Sequence, residues 1–115
     1  MLKMALAGVG LLLAASCASM VTGGPLIREG EPVGAIDIVN AGGGHINVVL
    51  ISACSASTYG LNRLPANTAI PPGASYRFPV SAGCWDVGAG STLAITEGYQ
   101  RVQVGANQAL RINVH

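Results

Sequence analysis

Residues 54–87 read CSASTYGLNRLPANTAIPPGASYRFPVSAGCWDV, and this stretch limits the fold more than any other part of the chain. Ser75-Tyr76-Arg77-Phe78-Pro79-Val80 alternates with period two. Tyr76, Phe78 and Val80 share one face, and Ser75, Arg77 and Pro79 share the other. That pattern is a strand, and Pro79 places it at a sheet edge or a bulge because proline cannot donate to a ladder. Ile70-Pro71-Pro72-Gly73 precedes it as a turn. Pro72 presets φ, and Gly73 can take the positive φ that a type II turn needs. Ser81-Ala82-Gly83 forms the next turn, and Cys84-Trp85-Asp86-Val87 opens a further strand.

The same reading extends along the chain. Val33 to Val39 is a strand, followed by a turn at Asn40-Ala41-Gly42-Gly43-Gly44. His45 to Ala53 is a second strand, apolar on both faces from Val48 to Ile51, which predicts a central position in a packed sheet. Ser55 to Asn67 is a long loop. After Cys84 the strand continues, with a break at Gly88-Ala89-Gly90, through Thr92 to Thr96, and Glu97-Gly98 reads as a hairpin turn. Tyr99 to Val104 and Gln108 to Val114 alternate well, and Gly105-Ala106-Asn107 between them has the length of a three-residue hairpin loop. Val102, Val104, Leu110, Ile112 and Val114 would face the core; Arg101, Gln103, Arg111 and Asn113 would face out. No segment of the body carries a helical period. The expected fold is all-β, a small antiparallel β-sandwich of six or seven strands, with a small barrel as the alternative.

The N-terminus has a different character. Lys3 precedes MALAGVGLLLAA, an apolar run too short to span a bilayer, and Ser16-Cys17-Ala18 follows. This is the layout of a secretory signal peptide, expected over residues 1–16. Leu13-Ala14-Ala15-Ser16-Cys17 resembles a bacterial lipobox, in which Cys17 would be lipidated, although Ala14 stands where leucine is usual. Cleavage by the general signal peptidase after Ala18 is the alternative. Residues 17–31 lack a period, contain Gly-Gly-Pro and read as a tether. Residues 32–115 form the single domain.

The chain has three cysteines. A bridge between Cys54 and Cys84 leaves Cys17 over, and lipidation or removal with the leader accounts for it. An exported chain meets an oxidising compartment, where such a bridge persists. Without Lys3 the remaining basic and acidic side chains balance, and only 10% of residues are charged. There is no basic patch for nucleic acid.

Several of these residues together carry a resemblance. Tyr59-Gly60-Leu61-Asn62-Arg63-Leu64, Ile70-Pro71-Pro72-Gly73, Gly83-Cys84-Trp85-Asp86-Val87 and Glu97-Gly98 follow one another in order. The body from residue 36 to 104 resembles a group of small exported bacterial domains of uncharacterised function. Their pattern is an aromatic-Gly loop, an Ile-x-Pro-Gly turn and a Cys-aromatic-Asp strand. The resemblance implies export and a β-sandwich and supplies no activity. The loop aromatic is often Trp in that group, where this chain has Tyr59.

Chemistry-bearing residues are sparse. His45 starts a strand after three glycines, His115 is the last residue, and the acidic side chains are scattered. No metal-ligand spacing and no cofactor motif is present. Asp86 in mid-strand is expected to accept backbone N–H bonds from the long loop, with Leu61 and Leu64 packed on the end of the sandwich to complete a clamp. Trp85 is expected in the core. Tyr59, Asn62 and Arg63 are then the exposed candidate binding surface. The functional expectation is a non-catalytic binding or structural module of the cell envelope, an outer-membrane lipoprotein facing the periplasm. Its partner would be an unidentified envelope protein or ligand. One alternative is an inhibitor that inserts the Tyr59 loop into a periplasmic or host hydrolase; another is a small hydrolase using His45.

Overall fold

The structure is a computed structural model, which describes residues 24–91 and 99–115. Among the described residues there is no helix. Six strands form two sheets: β1 (Val33–Asn40), β2 (Val48–Ala53), β3 (Ser75–Ser81), β4 (Gly83–Gly90), β5 (Gln100–Val104) and β6 (Ala109–Val114). The strand orders are β3-β1-β6 and β2-β4-β5. The two sheets pack face to face as a small β-sandwich. Ile36, Ile38, Phe78 and Val80 from one meet Val49, Ile51, Trp85, Val87, Val102 and Val104 from the other.

Alternation along the strands places these residues. In β3, Phe78 and Val80 are buried and Tyr76 is half-buried, while Arg77 and Pro79 face solvent. Pro79 lies on an edge strand, as its missing N–H requires. At the turn before β3, Gly73 has φ +83° and the Ala74 N–H donates to the Pro71 carbonyl at 3.0 Å. These are the marks of a type II turn.

Three expectations about connection and position change. First, β5 and β6 are not a hairpin. β5 pairs with β4, whereas β6 runs parallel to β1 in the other sheet. The residues after Val104 form a sandwich corner: the Asn107 N–H donates to the Val33 carbonyl, and the Gln108 carbonyl accepts from Ala35. Both strands have a core-facing set, and placing them in opposite sheets points those sets at one another. All the other strand pairs are antiparallel.

Second, β2 is an edge strand, not a central one. Among the described residues it pairs only with β4, and the long loop bonds to its other edge through Asn62 and Arg63. Third, the stretch expected as a tether is docked from Gly24 onward. The Ser81 N–H donates to the Leu26 carbonyl at 2.8 Å, and the Arg28 N–H donates to Ser81 Oγ at 2.6 Å. The Arg28 guanidinium lies 4.8 Å from the centroid of the buried Trp85 ring. β4 itself runs unbroken through Gly88-Ala89-Gly90. The expected Thr92–Thr96 strand, the Glu97-Gly98 turn, the leader and Cys17 lie outside the described residues.

Each sheet carries an aspartate on the outer face of its central strand. In register, Asp37 of β1 lies between Arg77 of β3 and Arg111 of β6. Asp86 of β4 lies between Ser52 of β2 and Arg101 of β5.

Candidate functional site

The outer face of β4 presents Cys84, Asp86, Gly88 and Gly90, because Trp85 and Val87 turn inward. Arg101 sits directly across from Asp86. It donates from Nε to Oδ1 at 2.9 Å and from Nη2 to Oδ2 at 3.1 Å, a bidentate pair. The hydrogen bond to Asp86, and next the carboxylate charge, raise the Arg101 pKa above its ordinary value. The side chains are 65% exposed for Arg101 and 16% for Asp86, so the pair opens onto solvent mainly through the guanidinium.

One row along, Tyr99 lies over Gly88. A Cβ at Gly88 would come within 2.7 Å of the ring, so only glycine lets the aromatic settle on the strand. Tyr59 stacks on Tyr99 with centroids 3.7 Å apart and planes at 14°. Burial first, and then the neighbouring Tyr59, push the Tyr99 phenol above its ordinary value. Tyr59 is 44% exposed. One ring face is covered by Tyr99. On the opposite side of Asp86, Cys54 and Cys84 are joined in a disulfide with Cα atoms 5.5 Å apart. The bridge anchors the start of the loop that delivers Tyr59.

The loop, the ion pair and the sheet enclose a cleft of about 380 Å³, lined by Ser52, Ala56, Ser57, Thr58, Tyr59, Asp86 and Arg101. Ser52, almost fully buried, lies on the β2 side of Asp86 in the strand register.

The cleft unites Tyr59 and Asp86 from the expected residues but reverses the clamp. Asp86 accepts from Arg101, not from loop amides, because a cross-strand arginine stands within reach on the same sheet face. Asn62 is exposed as expected and Arg63 is half-buried, and both hold the loop rather than stand free for a partner. Asn62 Oδ1 accepts from the Val49 N–H at 2.9 Å and the Leu64 N–H at 3.1 Å, and its Nδ2 donates to the Asn47 carbonyl at 3.0 Å. The Arg63 N–H donates to the Val49 carbonyl at 2.7 Å. Its guanidinium donates to the Ile51 carbonyl from Nε at 3.0 Å and Nη2 at 2.8 Å, and to the Gly24 carbonyl at 2.6 Å. Burial lowers the Arg63 pKa, yet a guanidinium stays charged in proteins.

Asn47, Val49 and Ile51 expose these groups because β2 is an edge strand, and an unpaired edge needs cover. Leu64 is buried, 5% exposed, in the core that contains Trp85. Leu61 is 58% exposed and packs on nothing in that core: turning Asn62 and Arg63 toward β2 leaves it outside.

At a distance from the cleft, His45 and His115 line a second cavity of about 230 Å³ with Asn40, the three glycines 42–44, Ile46, Ala89, Gly90, Ser91 and Val114. Among the described residues no aspartate or glutamate side chain is in that lining. Asn40 organises this end: its Nδ2 donates to the carbonyls of Gly44 and Ile70, and its Oδ1 accepts from Gly42. Among the described residues no group of three or more His, Cys, Asp or Glu side chains could hold a metal ion.

Sequence reasoning missed Tyr99, Arg101 and Asn40 as organising residues. Arg101 was legible only as an outward residue, since its partner depends on the β4–β5 register. Asn40 ends a strand ahead of three glycines, a signal that such a turn needs a side chain to hold it. No protein-family model, no curated protein and no solved structure matches this chain.

Proposed function

We propose that this protein is a non-catalytic binding module of the bacterial cell envelope, exported and anchored by lipid on Cys17. Its binding face is the outer surface of the β2-β4-β5 sheet, rather than the tip of the long loop. One observation carries this reading: a cleft lined by Tyr59, which is backed by its stack on Tyr99, and by a bidentate Asp86–Arg101 pair, on a sheet whose covering loop is tied down at both ends. A surface ordered before the ligand arrives loses less entropy on binding. The Cys54–Cys84 bridge agrees with an oxidising compartment, as does the resemblance of the 59–87 motifs to exported bacterial domains. The inhibitor alternative is weakened because Tyr59 lies flat on Tyr99 rather than projecting. The hydrolase alternative is weakened because, among the described residues, no aspartate or glutamate lines the cavity beside His45 to orient that imidazole.

The test uses the mature chain, immobilised, against a solubilised bacterial envelope extract. Wild type should retain a component that the Tyr59→Ala/Arg101→Ala double variant, matched for urea midpoint, does not. Equal retention by both would move the binding face elsewhere. Fatty-acid labelling that disappears in Cys17→Ala tests the anchor; an unlabelled chain beginning at Ser19 removes it.

A further inference from the structure

We infer that the cleft beside Tyr59 is a subsite for a neutral sugar residue of a glycan, with the free face of Tyr59 as the stacking platform and Arg101, Asp86, Ser57 and Thr58 as the hydroxyl-binding rim. This deepens the binding-module reading and rests on it.

The charge of the site excludes most other small ligands. Asp86 and Arg101 neutralise each other through two parallel bonds of 2.9 and 3.1 Å. An anionic ligand finds no uncompensated cation there, and a cationic ligand finds no free carboxylate. What remains is unused hydrogen-bonding capacity of both kinds. A guanidinium has five N–H donors and a carboxylate about four acceptor sites, of which the pair itself uses two each. Two hydroxyls on adjacent residues, Ser57 and Thr58, line the same cleft and can donate or accept. A ligand that matches must carry neighbouring groups that are donors and acceptors at once. Vicinal hydroxyls on a sugar ring are such groups.

The aromatic wall supplies the other half. Tyr59 has one ring face against Tyr99, remains 44% exposed and lines the cleft, which places its other side as the aromatic wall. The stack beneath it rests on Gly88, which fixes the height of the platform above the sheet. A pyranose has a face of C–H groups and a rim of hydroxyls. Its C–H face suits the partial negative charge of an aromatic face, and its rim reaches the planar groups of the ion pair. The cleft volume of about 380 Å³ holds one or two sugar units at a time.

The experiment is a titration of the ¹⁵N-labelled mature chain with three neutral probes: the N-acetylglucosamine trisaccharide, maltotriose and cellotriose. At least one should shift the amides of residues 57–59, 86, 99 and 101 in a saturable way. Tyr59→Ala should weaken that binding by about tenfold, the loss of one aromatic contact, and Tyr59→Phe should keep it because the ring face is retained. Arg101→Lys should also weaken it, since an ammonium lacks the planar fork. No saturable shift with any of the three sugars overturns the sugar assignment, as does binding that Tyr59→Ala leaves intact. The extract experiment separates the two failures. Retention of a protein by the wild-type face, without sugar binding, overturns the sugar subsite and keeps the binding module. Loss of both overturns both.

Discussion

Arg63 is where the fold concentrates the anchoring of its long loop, so Arg63→Ala should be costly although arginine is usually a surface residue. The guanidinium holds two carbonyls, Ile51 on the free edge of β2 and Gly24 at the start of the docked N-terminal segment. Hydrogen bonds to a charged group contribute about 1.5–3 kcal/mol each. Arg63 is only half-buried, so water can replace part of each bond, and about 1 kcal/mol per carbonyl is the better figure. The expected loss is about 2 kcal/mol. For a domain of roughly a hundred residues that lowers Tm by about 8–16 °C. Arg63→Lys should recover about half, because an ammonium reaches one carbonyl where the fork reaches two. Urea unfolding with the disulfide intact measures the loss. Hydrogen exchange should rise at the Val49 and Leu64 amides, which Asn62 Oδ1 accepts from. Stability within about 0.5 kcal/mol of wild type, with unchanged exchange at Val49, would refute the reasoning and leave the loop to Asn62 and Leu64 alone.

Hydrogen bonding to Arg77, against some burial and helped by the charges of Arg77 and Arg111, holds the Asp37 carboxyl below its ordinary 3.8. A carboxyl lowered on folding stabilises above its unfolded pKa and loses that contribution as pH falls through the folded value. Asp37→Asn should therefore flatten the decline of the urea midpoint below about pH 4, by no more than about 1 kcal/mol because Arg77 is exposed. Gly88→Ala should lift Tyr99 off the strand and break its stack with Tyr59; ring-current shifts of the two tyrosines should collapse while the fold persists. Replacing Cys54 and Cys84 with alanine opens a loop spanning 30 positions and should cost about 3–4 kcal/mol on the chain-entropy model, read as a lower urea midpoint that added reductant no longer changes.

The six described strands, the type II turn at Pro72-Gly73, the edge position of Pro79 and the pairing of Cys54 with Cys84 were determined by the sequence itself. Each rests on local periodicity, on the φ preferences of one or two residues or on cysteine parity. Trp85 in the core was legible as a large apolar side chain, whereas Leu61 and Leu64 read alike and only Leu64 is buried. Sheet membership was not legible. A three-residue link such as Gly105-Ala106-Asn107 serves a hairpin or a sandwich corner equally well, and only the competition of β5 and β6 for β4 and β1 decides between them. The roles of Asp86, Asn62 and Arg63 changed on the same ground. A carboxylate, an amide and a guanidinium each bond whatever donor or acceptor lies within about 3 Å, and those neighbours come from strands and loops distant along the chain. Tertiary structure alone put Arg101 opposite Asp86, left the edge of β2 open for Asn62 and Arg63 to cover, and set Tyr59 on Tyr99 above a glycine.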